Sequence, residues 1–301
     1  MDLVEQIKTW RCRASMFGDI VIDGDTITAK QLEELNRLIE KPNPTDKQLI
    51  TIEELTKKRD APPTLSTGAK TVLREIYNEM RSGVSELIVS KYLEKGITVE
   101  PDCIELAKAT IHPDIDGLPH GIKYESEWLR GTPDIRDDEN LLVQITDTKA
   151  AWSLNTLNDA EFKKIYYWQG VAYLHLTGLN RFGLLYCLID NPPHLIKREQ
   201  EYHFNQNSHK YLHENDPAYL KWCLDYEESV RYSKYPIHER FKFWTLDWEP
   251  RFQDVIETTI TAARKYLFEY HVELTERHVK NFELIKQQQP NLFEDSEVDA
   301  V

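Results

Sequence analysis

The chain has 301 residues, 41% of them hydrophobic and 29% charged. That is enough for one large domain or a domain with a modest appendage, and it excludes global disorder. Its 51 acidic residues against 37 basic ones leave a net charge of −14. This argues against a protein that coats nucleic acid over its whole surface, while leaving room for a local basic groove or an acidic site for divalent cations. No apolar run approaches bilayer length, and residues 1–13 carry charges where a signal peptide needs an apolar core. Cys12, Cys103, Cys187 and Cys223 are scattered and form no CxxC pair. The expectation is reduced thiols in a cytoplasm, with neither a zinc knuckle nor a disulfide framework.

In chain order, Thr28 with Gln31 and Thr45 with Gln48 repeat the spacing of a helix capping box. Leu32, Leu35, Leu38 and Ile39 follow the first at helical spacing, and Leu49, Ile52 and Leu55 follow the second. Lys41-Pro42-Asn43-Pro44 separates them, so residues 26–60 read as a charged helical hairpin. Ala61-Pro62-Pro63 closes it, and Ser66 or Thr67 caps a helix over about residues 69–81. Another helix is expected over residues 85–95, stopping at Gly96, and a further one from about Glu100 through Ile104, Leu106 and Ala107. Residues 124–130 read as a strand, residues 131–135 enter a second, and residues 141–145 form a third, mostly buried one. Asn158-Asp159 is expected to cap a long helix that runs to Thr177 and ends at Gly178. Residues 182–189 are an apolar strand halted by Asn191-Pro192-Pro193. The order is helix, three strands, helix, strand: an α/β mixed sheet flanked by helices. Residues 195–249 are only loosely placed, residues 250–287 are helical with Ile256, Ile260, Ala263, Leu267 and Tyr270 on one stripe, and the tail from Pro290 is acidic. The division expected is a helical extension (1–62), a core (63–250), a C-terminal helix (251–289) and a flexible tail (290–301).

Two carboxylates carry the chemical expectation. Asp134 opens the second strand, Asp147 closes the third, and Lys149 lies two positions beyond Asp147. Residues two apart on a strand face the same side, so Asp147 and Lys149 share a cleft, and a hairpin of the two strands would bring Asp134 opposite. Paired carboxylates make a hard oxygen site suited to Mg²⁺ or Mn²⁺, and a neighbouring lysine can position water or stabilise developing charge. Phosphodiester hydrolysis is the chemistry this arrangement suits. On the following helix, Gln169 and Tyr173 are four apart and share one face.

The Gly131-Thr132-Pro133-Asp134 turn, the Asp147-x-Lys149 triplet and the Gln169-x-x-x-Tyr173 pair together resemble the PD-(D/E)xK nuclease superfamily. The resemblance is to its RecB-type and phage lambda-exonuclease-like branch, whose restriction-endonuclease-like core is αβββαβ. Residues 65–70, 91–97 and 186–192 look like the same group, and the likeness covers about residues 10–195. It implies a metal-dependent deoxyribonuclease, foremost a recombination or repair exonuclease acting on linear duplex or single-stranded DNA. It also implies a homo-oligomer, a single-strand annealing protein as partner, and the host cytoplasm of a phage as location. An endonuclease with the same site, or an inactive nuclease-like binding module, is the competing reading.

The resemblance also assigns residues. Asp134, Asp147, Lys149, Gln169 and Tyr173 would be catalytic, the last two shaping the substrate path. Glu100, with Glu105 as fallback, would join Asp134 and Asp147 as metal ligand; the RecB-type histidine would be His112 or His120. Arg11, Arg13 and Ser15 resemble the element that grips a DNA 5′ phosphate. In the tail, Gln289, Leu292 and Phe293 are similar to a sliding-clamp docking peptide.

Overall fold

The computed structural model describes residues 2–23, 29–61, 63–85, 90–113 and 121–288. Thr28, His120 and the clamp-like Gln289, Leu292 and Phe293 lie outside the described residues. The elements are α1 (Leu3–Lys8), β1 (Cys12–Arg13), α2 (Ala14–Ile20), α3 (Ala29–Ile39), α4 (Asp46–Asp60), α5 (Thr67–Ser82), α6 (Lys91–Thr110), β2 (Tyr124–Glu125), β3 (Leu129–Gly131), β4 (Ile135–Arg136), β5 (Ile145–Ala150), α7 (Leu154–Asn158), α8 (Lys164–Thr177), β6 (Arg181–Cys187), α9 (Pro193–Gln206), α10 (Pro217–Ser229), β7 (Phe241–Asp247) and α11 (Arg251–Gln288). Contacts divide the chain into a helical unit of residues 1–11, 19–85 and 253–301 and a sheet-bearing unit of residues 12–18 and 86–252.

In the helical unit, α3 and α4 form the expected hairpin, closing Leu35 and Leu55 against Leu32 and Ile52. Gln48 Oε1 accepts from the Thr45 amide at 3.0 Å, one half of the capping box. The Ser66 hydroxyl caps α5 by accepting from the Ala69 amide at 3.0 Å. Ile256, Ile260, Ala263 and Leu267 of α11 are fully buried, as their spacing predicts. Among the described residues, no helix is long and apolar enough to cross a membrane.

The sheet-bearing unit holds a four-stranded sheet, β4-β5-β6-β7, and a three-stranded one, β1-β3-β2. The single mixed sheet expected is therefore two, with residues 132–134 leading from β3 into β4. β4 and β5 pair antiparallel, β5 and β6 parallel, β6 and β7 antiparallel. One face of the larger sheet (Ile135, Val143, Leu185, Cys187) buries against Val99, Cys103, Leu106 and Ala107 of α6. Side chains alternate along a strand, so Phe182 and Leu184 point to the opposite face. There α8 comes so close that a Cβ on Gly170 would lie 2.3 Å from the Phe182 ring. Only glycine fits at that crossing.

Four expectations are corrected. α6 is one helix through Gly96 and Pro101, not two. The stripe Lys95, Val99, Cys103, Leu106 is buried on one side, and that tertiary burial outweighs the local breakers. The third strand begins at Ile145, and Leu141 is 97% exposed. Asn140 Oδ1 accepts from the Leu142 and Val143 amides, which turns residues 141–142 outward and leaves only Val143 in the core. The long helix begins at Lys164 rather than at Asn158-Asp159. Those two residues instead end α7, which Ser153 caps by accepting from the Thr156 amide. Residues 195–249 contain α9, α10 and β7, and β7 is the fourth strand of the larger sheet.

Candidate active site

The β4–β5 register pairs Ile135 with Thr146 and Arg136 with Ile145. Continued by one residue, it sets Asp134 opposite Asp147, as the hairpin reading requires. Asp134 Oδ2 accepts from the Thr148 amide at 2.7 Å and from its hydroxyl at 2.8 Å. These bonds fix the carboxylate just ahead of β4 against the middle of β5. Asp147 is 2% exposed and faces α8, where Gln169 Nε2 donates to its Oδ1 at 3.1 Å. Its Oδ2 lies in ion-pair contact with Lys149 Nζ, yet no hydrogen-bond donor is aligned on this buried oxygen.

The Gln169–Tyr173 pair links both carboxylates. Gln169 Nε2 also donates to the Tyr173 hydroxyl at 3.1 Å, and that hydroxyl donates to the Thr132 carbonyl at 3.1 Å. Thus α8 holds Asp147 directly and holds the segment carrying Asp134 through Thr132. Burial raises the Asp147 pKa to about 6; the Lys149 charge opposes this, while Asp134 and Glu100 add to it. Burial alone would lower the Lys149 pKa, but Asp147 and Asp134 outweigh it and the net shift is upward. Burial, reinforced by Asp147, keeps the Tyr173 phenol protonated.

Glu100 is exposed on α6, and its charge reaches Asp147 and Tyr173. Glu105 is exposed and paired with Lys108 at 2.8 Å. Among the described residues, no three His, Cys, Asp or Glu side chains are gathered as a metal-binding group. The donors around Asp147 nonetheless suit a hard cation. They are carboxylate oxygens, and Asp134 and Glu100 crowd negative charge around Asp147. His112 belongs elsewhere. It is fully buried on the α6 side of β5, with Nε2 2.9 Å from Thr146 Oγ1 and Nδ1 3.0 Å from Asp137 Oδ2.

Beside Tyr173 lies an open pocket of about 390 Å³ lined by Arg13, Ser15, Lys123, Arg130, Thr132 and Tyr173, together with Ala14 and Gly131. Arg13 and Ser15 were expected at a phosphate; Arg11 does not line this pocket. Lys123 and Arg130 are cations the sequence reading missed. The β2–β3 pairing, which sets Glu125 against Arg130, brings that segment to the same place; nothing in the local sequence signals it.

No family model and no curated protein matches the chain. Among solved structures, it is similar to a phage-related exonuclease from Haemophilus somnus 129PT. The TM-score is 0.55 at 18% identity, over 88% of this chain and 97% of that one. It is also similar to the alkaline exonuclease LHK-Exo from Laribacter hongkongensis (TM-score 0.47, 11% identity, 91% and 96% covered). The same enzyme in complex with dAMP gives 0.46 at 11% identity, with 93% and 97% covered. The chain thus shares the fold of that phage-related exonuclease.

Proposed function

We propose that this chain is a divalent-cation-dependent deoxyribonuclease that hydrolyses linear DNA from an end. One observation carries the reading: Asp134 is bonded to Thr148 of β5, and the adjacent Asp147 feels its charge, with Lys149 against Asp147 and Gln169 fixing its other oxygen. Asp134 and Asp147, joined by Glu100, would hold Mg²⁺ or Mn²⁺. Such a cation, when bound, polarises a phosphoryl oxygen and acidifies a water. The protein's own groups supply the rest. The Lys149 ammonium has only donors, so it would hold the attacking water or steady charge on the phosphoryl oxygens. Gln169 and Tyr173 position the carboxylates rather than react, since their hydrogen bonds run to Asp147 and Thr132.

The pocket of Arg13, Ser15, Lys123 and Arg130 supports action from an end. Arg13, Arg130 and Lys123, the last also paired with Glu125, together with the Ser15, Thr132 and Tyr173 hydroxyls would suit a terminal phosphate. A second reading, a nuclease-like fold that holds DNA without cutting it, draws on Glu100 not being gathered with the other two carboxylates.

End-labelled linear DNA and closed circular DNA, each incubated with and without Mn²⁺, separate the readings. Mn²⁺-dependent loss of the linear substrate alone is expected, and Asp147→Asn should abolish it. Opening of the circle would mean endonuclease action. Intact DNA in every lane, with binding preserved, would favour the non-cutting module. The finer proposals of oligomer formation, an annealing-protein partner and a host cytoplasmic location rest on the family resemblance.

A further inference from the structure

The sheet face that carries Asp147 and Lys149 continues beyond them. Lys149 pairs with Tyr186 on β6, and Tyr186 pairs with Lys242 on β7; two residues away, Asp147 pairs with Leu184 and Leu184 with Trp244. Directly paired residues point to the same side of a sheet, so the row from Lys149 to Lys242 and Trp244 lies on the face covered in part by α8. Ring contacts run along it without a break. Lys149 Nζ sits 5.4 Å from the Tyr166 centroid, and Tyr166 meets Tyr186 edge-on at 6.0 Å. Tyr186 in turn meets Trp244 at 5.8 Å, and Trp244 stacks on Phe162 at 6.3 Å and 27°.

The row ends in an open depression of about 410 Å³ lined by Phe162, Lys242 and Trp244 with Ala160, Glu161 and Phe243. Phe162, Lys242 and Trp244 are all partly exposed. Lys242 Nζ donates to the carbonyls of Asn158 at 2.5 Å and Ala160 at 3.2 Å, which fixes the ammonium at the rim.

We propose that this depression is a nucleotide subsite for the DNA strand on the far side of the scissile phosphate from the basic pocket. A base would stack on Trp244 and Phe162, with a backbone phosphate at Lys242. The proposal rests on the nuclease reading and adds a place where the strand is held. Aromatic faces beside a cation are what a single strand requires, because every base offers a π-face and every linkage a charge. Glu161, exposed on the same rim, repels phosphate and so steers the backbone to the Lys242 side.

Position agrees with this. Tyr173, Gln169 and Tyr166 follow one face of α8 at i, i+3 and i+7 spacing, which sets the basic pocket, the carboxylates and the aromatic row in that order. Two strand spacings separate Lys149 from Lys242, about 10 Å. A strand lying along this face would therefore reach the depression within a few nucleotides of the cut.

The test is binding of fluorescein-labelled single-stranded DNA, a dimer and a pentamer, to the full chain in EDTA. Wild type is expected to bind the pentamer more tightly, by about tenfold or more for one stacked base. Trp244→Ala should remove that increment and Trp244→Phe retain most of it. Lys242→Gln should flatten the slope of log affinity against log salt by about 0.7, one phosphate on a single strand. An unchanged increment in Trp244→Ala with an unchanged slope in Lys242→Gln overturns the subsite. So does an equal loss at both lengths in a variant with an unaltered melting temperature. If wild type cuts linear DNA while these variants behave as wild type, the subsite fails and the nuclease reading stands. If wild type neither binds nor cuts, both fail.

Discussion

Two lysines near the end of β5 meet opposite fates in the same unit. Lys95 is 1% exposed, and its ammonium donates to the Ala151 and Ile189 carbonyls at 2.7 Å each and to Asn191 Oδ1 at 2.6 Å. The Trp152 and Tyr232 rings lie 5.8 and 5.3 Å away. Every one of these partners is neutral, and together they tie α6 to the ends of β5 and β6. Lys149 instead faces a charge, Asp147, whose Oδ2 remains without an aligned donor, and two further acids reach the same carboxylate. A buried cation with neutral acceptors on all three protons is a staple. A buried cation paired with a carboxylate that two further acids crowd is an electrostatically loaded pair, of the kind that marks candidate functional sites.

The largest effect expected follows from that contrast. Asp147→Asn and Lys149→Ala should each lower DNA hydrolysis by about a thousandfold, roughly 4 kcal/mol of transition-state stabilisation. Asp147→Asn should lower the melting temperature only modestly, since it relieves one buried charge while Asp134 still compensates the Lys149 ammonium. Turnover of linear DNA and thermal unfolding of the same preparations check both. A collapse in melting temperature would make Asp147 a staple like Lys95 and erase the distinction.

Lys95→Met should do the reverse, costing about 3 kcal/mol or more of stability by leaving buried acceptors unpaired. The pH dependence sharpens the point. Burial lowers the Lys95 pKa to about 8 from the ordinary 10.5. Between those values the unfolded chain binds more protons than the folded one, so stability rises with pH. The margin of wild type over Lys95→Met should therefore widen from pH 8 to 10.5, by at most about 1.4 kcal/mol per unit. Denaturant midpoints across that range measure it, and a narrowing margin would contradict the assignment.

Gln169→Leu tests the link between the two carboxylates. It should lower activity by about ten- to a hundredfold, as loss of a residue that orients a ligand does. The fall should lie in kcat more than KM, because Gln169 bonds Asp147 and Tyr173.

How far the sequence foretold this arrangement depends on the range of the forces involved. Asp134, Asp147 and Lys149 were legible because strand alternation and one hairpin suffice to bring them together. Gln169 and Tyr173 were legible from helical spacing, and Gly178 as the stop of α8 because its φ of 70° calls for glycine. Lys95 was invisible as a staple because its acceptors lie 56 to 96 residues away. β7 was missed because its partner β6 is distant in sequence and, of its residues, Leu246 alone is buried. The unbroken α6 was missed because Gly96 and Pro101 signal an end that long-range burial overrides.

The smallest expected effect concerns the edge of that same hairpin. A strand over residues 141–145 would bury Leu141 or Leu142, and polar substitution there would cost as much as a core deletion. The structure turns both outward on the Asn140 side chain and sends Val143 alone into the core, against Ile135 and Leu185. Leu141→Ser should therefore change stability by less than about 0.5 kcal/mol, the range of ordinary surface changes. Val143→Ala, one turn of the loop away, should cost about 1 kcal/mol or more because it opens a cavity under β4 and β6. Urea midpoints of the two variants decide the matter. Equal losses would restore the longer strand and shift the register on which the pairing of Asp134 with Asp147 depends.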